Sequence, residues 1–142
     1  MRYDQADIFL VPLFNGQYGV GQVVTTEATP LCAFTLRQQP FDAVAAPLTP
    51  AEIIALHKVD AAHLADGTWP VIGLEQIPQI SALDRLNALE SDPLDPAIIE
   101  ALLNAWHGLY PWDGFPDRTF FDGLLCTGVS KPASARTKGQ LA

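Results

Sequence analysis

The sequence predicts an α+β domain: an antiparallel, strongly curled sheet of about five strands over residues 6–75, covered by C-terminal helices over residues 81–125. The first half is filled by β-branched and aromatic runs separated by Gly, Pro and Asn turn signals. The second half carries helix-capping motifs followed by apolar residues at helical spacing. Gly19 and Gly21, two apart and so on one face of a strand, leave room for a bulky group such as Trp69 to lie flat there, or for the sheet to coil sharply.

The strands follow in order. Asp7 to Leu13 is a nearly continuous apolar run, Asn15-Gly16 is a tight-turn signal, and Gln17 to Thr25 alternates, which together predict a hairpin. Pro12 has no N–H to give a ladder, so its strand lies at an edge or ends there. Leu31 to Leu36, after a turn at Thr29-Pro30, extends the hairpin to a meander. Residues 38–50, with Pro40, Pro47 and Pro50, read as a loop. Thr49-Pro50-Ala51-Glu52 has the capping box of a helix start, while Ile53 to Val59 reads equally as a buried strand, and a strand over 52–59 is preferred. One or two helical turns through Ala61-Ala62-His63-Leu64, closed by Gly67, lead to a last strand from Trp69 to Leu74, which Pro70 places near an edge.

Ser81-Ala82-Leu83-Asp84 opens a short amphipathic helix with Leu83, Leu86 and Leu89 on one face. Asp95 caps the next, with Pro96 in its first turn and Gly108 at its end; Ile98, Ile99, Leu102, Leu103 and Trp106 form its apolar stripe, and Glu100, Asn104 and His107 its other face. Another short helix is expected at Phe120-Phe121. Residues 1–128 then form a single domain, β-rich over 1–75 and helical over 76–128, and the polar tail 129–142 is expected to fray.

The composition is that of a packed globule: 142 residues, 49% hydrophobic and 17% charged, with a mean hydropathy of +0.15. No run approaches the roughly 20 apolar residues of a membrane span. The start, Met1-Arg2-Tyr3-Asp4-Gln5-Ala6-Asp7, turns acidic at once, unlike a secretory signal, and predicts a cytoplasmic location. Sixteen acidic against eight basic residues give −8; three of the basic ones, Lys131, Arg136 and Lys138, lie in the tail, so the body holds five against sixteen, or −11. Such a surface repels nucleic acid and anionic lipid. It suits a basic protein partner, or serves only to keep the chain in solution. Cys32 and Cys126, far apart and in apolar surroundings, are expected to be reduced, buried thiols with no disulfide between them and no zinc.

Several patterns that resemble chemistry are better explained without it. Gly16, Gly19 and Gly21 do not have the spacing of a phosphate-binding loop, and no helix start follows them. His57, Asp60 and His63 are spaced by three, but i and i+6 do not share a helical face, so half-buried histidines are expected rather than a metal site. His107 stands at a helix C-terminus, where a partly positive ring is favourable. Asp113 and Asp117 have the chemistry of a general acid and base, yet carboxylates are so numerous here that a chance pair is the simpler account. Residues 106–121 hold six of the thirteen aromatic residues, interleaved with acids: either a core plug or an exposed binding loop, with Trp112 the ring expected at the surface.

The stretch Asp7-Ile8-Phe9-Leu10-Val11-Pro12-Leu13, continued by Gly16-Gln17-Tyr18-Gly19-Val20-Gly21-Gln22-Val23, resembles the opening of the immunity protein 26 family of bacterial polymorphic-toxin systems. The stretch from Ile53 through Gly67-Thr68-Trp69-Pro70-Val71-Ile72-Gly73 is similar to its second block, so the resemblance covers the first half of the chain, with Tyr18, Gly19, Gly21 and Trp69 as motif residues. It implies a mostly β domain that neutralises a cognate toxin by binding it. The family's link to an organophosphate phosphotriesterase implies a metal-dependent hydrolase instead, from which three scattered histidines depart. The expectation is therefore a non-enzymatic, cofactor-free immunity protein whose acidic face masks a basic toxin domain. A small metal-dependent phosphoester hydrolase using Asp113, Asp117 and His107, and a general protein-interaction module, stand as alternatives. The partner is expected on the Tyr110 to Asp117 loop, anchored by Trp112 and steered by Asp113 and Asp117.

Overall fold

A computed structural model describes residues 2–141. It is α+β, with a five-stranded antiparallel sheet and four helices among the described residues. Strands β1 (Asp7–Pro12), β2 (Tyr18–Val23), β3 (Leu31–Gln39), β4 (Ile53–Lys58) and β5 (Val71–Leu74) are ordered β4-β3-β2-β1-β5. The helices are α1 (Ala62–Asp66), α2 (Ala82–Glu90), α3 (Pro96–Trp106) and α4 (Lys138–Leu141). None is long and apolar enough to cross a membrane.

Local chemistry accounts for the boundaries. Gly16, at φ +83°, turns β1 into β2, and the Asn15 carboxamide oxygen accepts from Gln17 N–H. The two readings of residues 49–59 both hold: the Thr49 to Glu52 capping box closes a single 3-10 turn over Pro50–Glu52, and β4 starts at the next residue. Glu52 also receives Arg37, Nε to Oε2 at 2.6 Å and Nη2 to Oε1 at 2.9 Å. That guanidinium holds the Glu52 carboxyl below its ordinary range and reaches the carbonyls of Ala46 and Pro47, clamping the loop before β4.

The expected strong curl is corrected: the sheet stays open, with β4 and β5 as its edges. Gly19 and Gly21 make room for packing instead of bending the sheet. A Cβ on Gly21 would lie 2.5 Å from Phe9 Cζ and 3.0 Å from the Ala33 carbonyl oxygen, and one on Gly19 would lie 3.0 Å from Leu103 Cδ1. The ring over the glycine is therefore Phe9, its cross-strand partner, and not Trp69. Trp69 stacks on Phe9 at 5.5 Å with the rings 1° from parallel, and Phe34 meets both edge-on at 5.9 Å.

Because side chains alternate along a strand, β1 buries both faces. Phe9 and Val11 join Phe34, Trp69 and the Ile99, Leu102, Leu103 and Trp106 stripe of α3 in the main core. Ile8 and Leu10 face the other way, beneath Ala45 and Leu48 of the proline-rich loop. Further along that second face, Leu31, Ala33, Ile53 and Leu56 meet Ala88 of α2.

Two more expectations change. An amphipathic helix on a sheet normally buries its apolar arc, but α2 turns Leu83, Leu86 and Leu89 outward, 55%, 53% and 40% exposed, and seats Ala88. Asp84 fixes this rotation by accepting from Thr127 N–H and Oγ1–H at 3.0 and 2.9 Å. Asn104, expected on the polar face of α3, is fully buried; its oxygen accepts from Phe14 N–H and its nitrogen donates to the Glu100 carbonyl, tying the β1–β2 turn to the helix. The tail makes defined contacts with the body. Ser134 Oγ–H donates to the Trp106 carbonyl, Trp112 N–H to the Arg136 carbonyl and Lys138 N–H to Asp113 Oδ1, and a side chain on Gly108 would strike the Ser134 carbonyl oxygen at 2.5 Å.

Candidate functional site

Trp112, Asp113 and Asp117 do not form the exposed docking loop expected of them. Trp112 is buried against Phe121 and Trp106, with ring centroids 5.5 and 6.4 Å away, and its Nε1–H donates to Asp122 Oδ2 at 3.2 Å. Asp113 accepts from Lys138 N–H. Asp117 accepts from Thr119 N–H and Oγ1–H, bonds that hold its carboxyl below the ordinary range. Phe115 stacks on Phe120 at 4.6 Å and packs on Phe121. The segment is thus the core plug, because a loop rich in Pro and Gly is ordered here by its own rings, and its carboxylates satisfy backbone amides that would otherwise be unpaired.

The histidines are likewise apart. His57 lies on β4 and its Nε2–H donates to the Leu124 carbonyl at 2.7 Å, leaving Nδ1 as the unprotonated nitrogen. His63, on α1, meets Trp69 edge-on at 5.6 Å and has Nε2 3.8 Å from Glu100 Oε1. Trp69 Nε1–H donates to the other Glu100 oxygen at 3.3 Å. His107 is not a partner of Asp113 or Asp117, and burial lowers its pKa, which works against the partly positive ring expected at this helix end. Among the described residues no three His, Cys, Asp or Glu side chains come together as a metal cluster.

Burial also lowers the pKa of His57. As pH falls through the ordinary histidine value near 6.5, the unfolded chain binds protons that the folded chain resists, so stability is complete above that value and declines below it. Urea midpoints measured at pH 7, 6 and 5 are expected to fall, and to fall less steeply in a His57→Gln, His107→Gln variant. Parallel slopes in the two proteins would contradict this.

Two hollows are the other candidates. One, of about 150 Å³, is lined by His57, Asp84, Cys126 and Thr127. Burial, with Asp84 adding to it, pushes the Cys126 thiol up to about 12, away from the reactive thiolate form, and Asp84 already accepts from Thr127. The second is an open apolar groove of about 390 Å³ between the β1–β2 turn and α3, with Phe14 and Tyr110 at its walls and Glu100 and Asn104 among its lining residues. The side chains of Glu100 and Asn104 are already engaged. Both thiols are free; Cys32 lies in the main core, where burial raises its pKa far out of the physiological range, and Cys126 packs on the second face.

The arrangement left is electrostatic. Val59 N–H donates to the Pro30 carbonyl, Leu94 N–H to the Lys58 carbonyl and Asp60 N–H to the Leu94 carbonyl, which draws together the β2–β3 turn, the end of β4 and the turn before α3. These three stretches carry Glu27, Asp60, Asp92 and Asp95 with Lys58 as their sole cation. Asp60 and Asp95 each use one oxygen on a helix-start amide, Ala62 N–H and Ala97 N–H. Glu27, Glu90 and Asp92 have no hydrogen-bond or ion-pair partner among the described residues, whose ion pairs are Arg37–Glu52 and His63–Glu100. Pattern reasoning missed this end because its residues are brought together only by pairing between distant stretches. Comparison with protein-family models, curated proteins and solved structures found no match.

Proposed function

We propose that the chain is a non-enzymatic cytoplasmic binding protein that neutralises a basic protein by covering it, the role of an immunity protein against a cognate basic toxin domain. The carrying observation is the acidic end, where the stretches bearing Glu27, Asp60, Asp92 and Asp95 hold Lys58 as their one cation, on a chain of net charge −8. Clustered carboxylates steer a cationic partner and set its association rate. The resemblance of the first half to immunity protein 26 sequences supports the same reading. Carboxylates and histidines that are separately satisfied, or separately buried, give the hydrolase reading no comparable support.

The test is co-expression with a basic toxin domain encoded in the same gene neighbourhood. Growth is expected to be rescued and the two proteins to co-purify, with an association rate that falls by about tenfold or more between roughly 50 and 500 mM salt. Absence of a complex, or rescue by a complex indifferent to salt, overturns the proposal.

A further inference from the structure

We infer that the outward face of α2 is where a basic protein docks, and that it receives an amphipathic helix carrying apolar side chains at helical spacing with Lys or Arg beside them. The inference rests on the acidic-binding reading and names its surface. At about 100° per residue, Leu83, Leu86 and Leu89 share one arc with Glu90, while Asp84 and Ala88 lie on the opposite side. The three leucines are 55%, 53% and 40% exposed. Single exposed leucines are ordinary, but three over two turns make a continuous stripe.

The helix cannot hide the stripe by rolling. Asp84 is held by Thr127, Ser81 Oγ accepts from Asp84 N–H at the helix start, and Ala88 is already seated in the second core. The leucines are therefore presented in a fixed orientation, so little ordering accompanies docking.

Charge decides the occupant. Glu90 lies within the leucine arc and Asp92 just beyond its end, both without partners among the described residues. From there the chain runs directly into Leu94 and Asp95 of the acidic end. Arg85, the helix's one cation, is half-buried on a different arc. A second copy of the chain would bring the same unpartnered carboxylates to the contact, and two chains of −8 repel. A cationic helix in contrast lays its apolar residues on the leucines and its ammonium or guanidinium groups on Glu90 and Asp92, the helix-on-apolar-face mode of recognition.

The experiment titrates isotopically labelled protein with two synthetic helical peptides, one of Leu and Lys and one of Leu and Glu with leucine at the same positions. The Leu/Lys peptide is expected to shift the amides of residues 82–92, and the double variant Leu83→Ser, Leu86→Ser to bind it about tenfold more weakly or worse. Glu90→Lys should weaken it too, and the Leu/Glu peptide should not bind. Shifts that map elsewhere, or unchanged affinity in the double variant, overturn the surface while leaving the acidic-binding reading intact. Failure of the Leu/Lys peptide to bind anywhere removes both. Equal binding of the Leu/Glu peptide, or dimerisation of the free protein lost in the double variant, overturns the basic occupant.

Discussion

Replacing Trp69 with alanine is expected to lower stability by about 3–5 kcal/mol, the range for emptying a buried indole site. The ring is fully buried, stacked on Phe9 and met edge-on by Phe34. Its loss opens a cavity at the centre of the main core and strips the Glu100 carboxylate of its Nε1–H donor. Urea denaturation measures the loss, and Trp69→Phe separates its parts: the smaller ring keeps most of the packing while forfeiting the hydrogen bond, so a loss of about 1–2 kcal/mol is expected. If alanine costs no more than phenylalanine, the indole is not what holds the sheet to α3.

Gly21→Val should cost about 3 kcal/mol, at the upper end for an overfilled core. The clash is with Phe9, whose ring is confined by Trp69 and Phe34, and with a backbone carbonyl oxygen that cannot swing aside. The backbone of Gly21 is not in the left-handed region, so strain of the main chain plays no part. A double-mutant cycle identifies the cause: Phe9→Leu alone destabilises, but in a Gly21→Ala background it should cost less, with a coupling on the order of 1 kcal/mol. Strict additivity would mean that the ring does not set the need for glycine.

These two positions also show what the sequence can reveal. The spacing of Gly19 and Gly21 announces a large group above the strand, but several aromatic residues fit that description, and only the pairing of β1 with β2 selects Phe9. Strands and caps were legible because their signals are local: the Asn15-Gly16 turn, the Asp95-Pro96 start of α3 and Gly67 at the end of α1, where φ is +82°. Orientation was not. The leucine arc of α2 reads as core in any local window, and what turns it outward are the bonds that Asp84 accepts from Thr127, 43 positions away. The burial of Trp112 was illegible for the same reason, since the groups that engage Asp113 and surround Trp112 include residues of the tail and of the following turn.

The strand order divides folding into an early and a late event. Among themselves, strands β1 to β4 pair only as neighbours in sequence, and each hairpin closes at small entropic cost, so the meander can zip up one strand at a time. β5 instead joins β1 across everything between Pro12 and Val71, and it does so along a short, bulged register. It is therefore the strand whose pairing waits longest and is surrendered first in a partial opening. Trp69 stands two residues before it, so the stack on Phe9 is completed only when that last strand arrives.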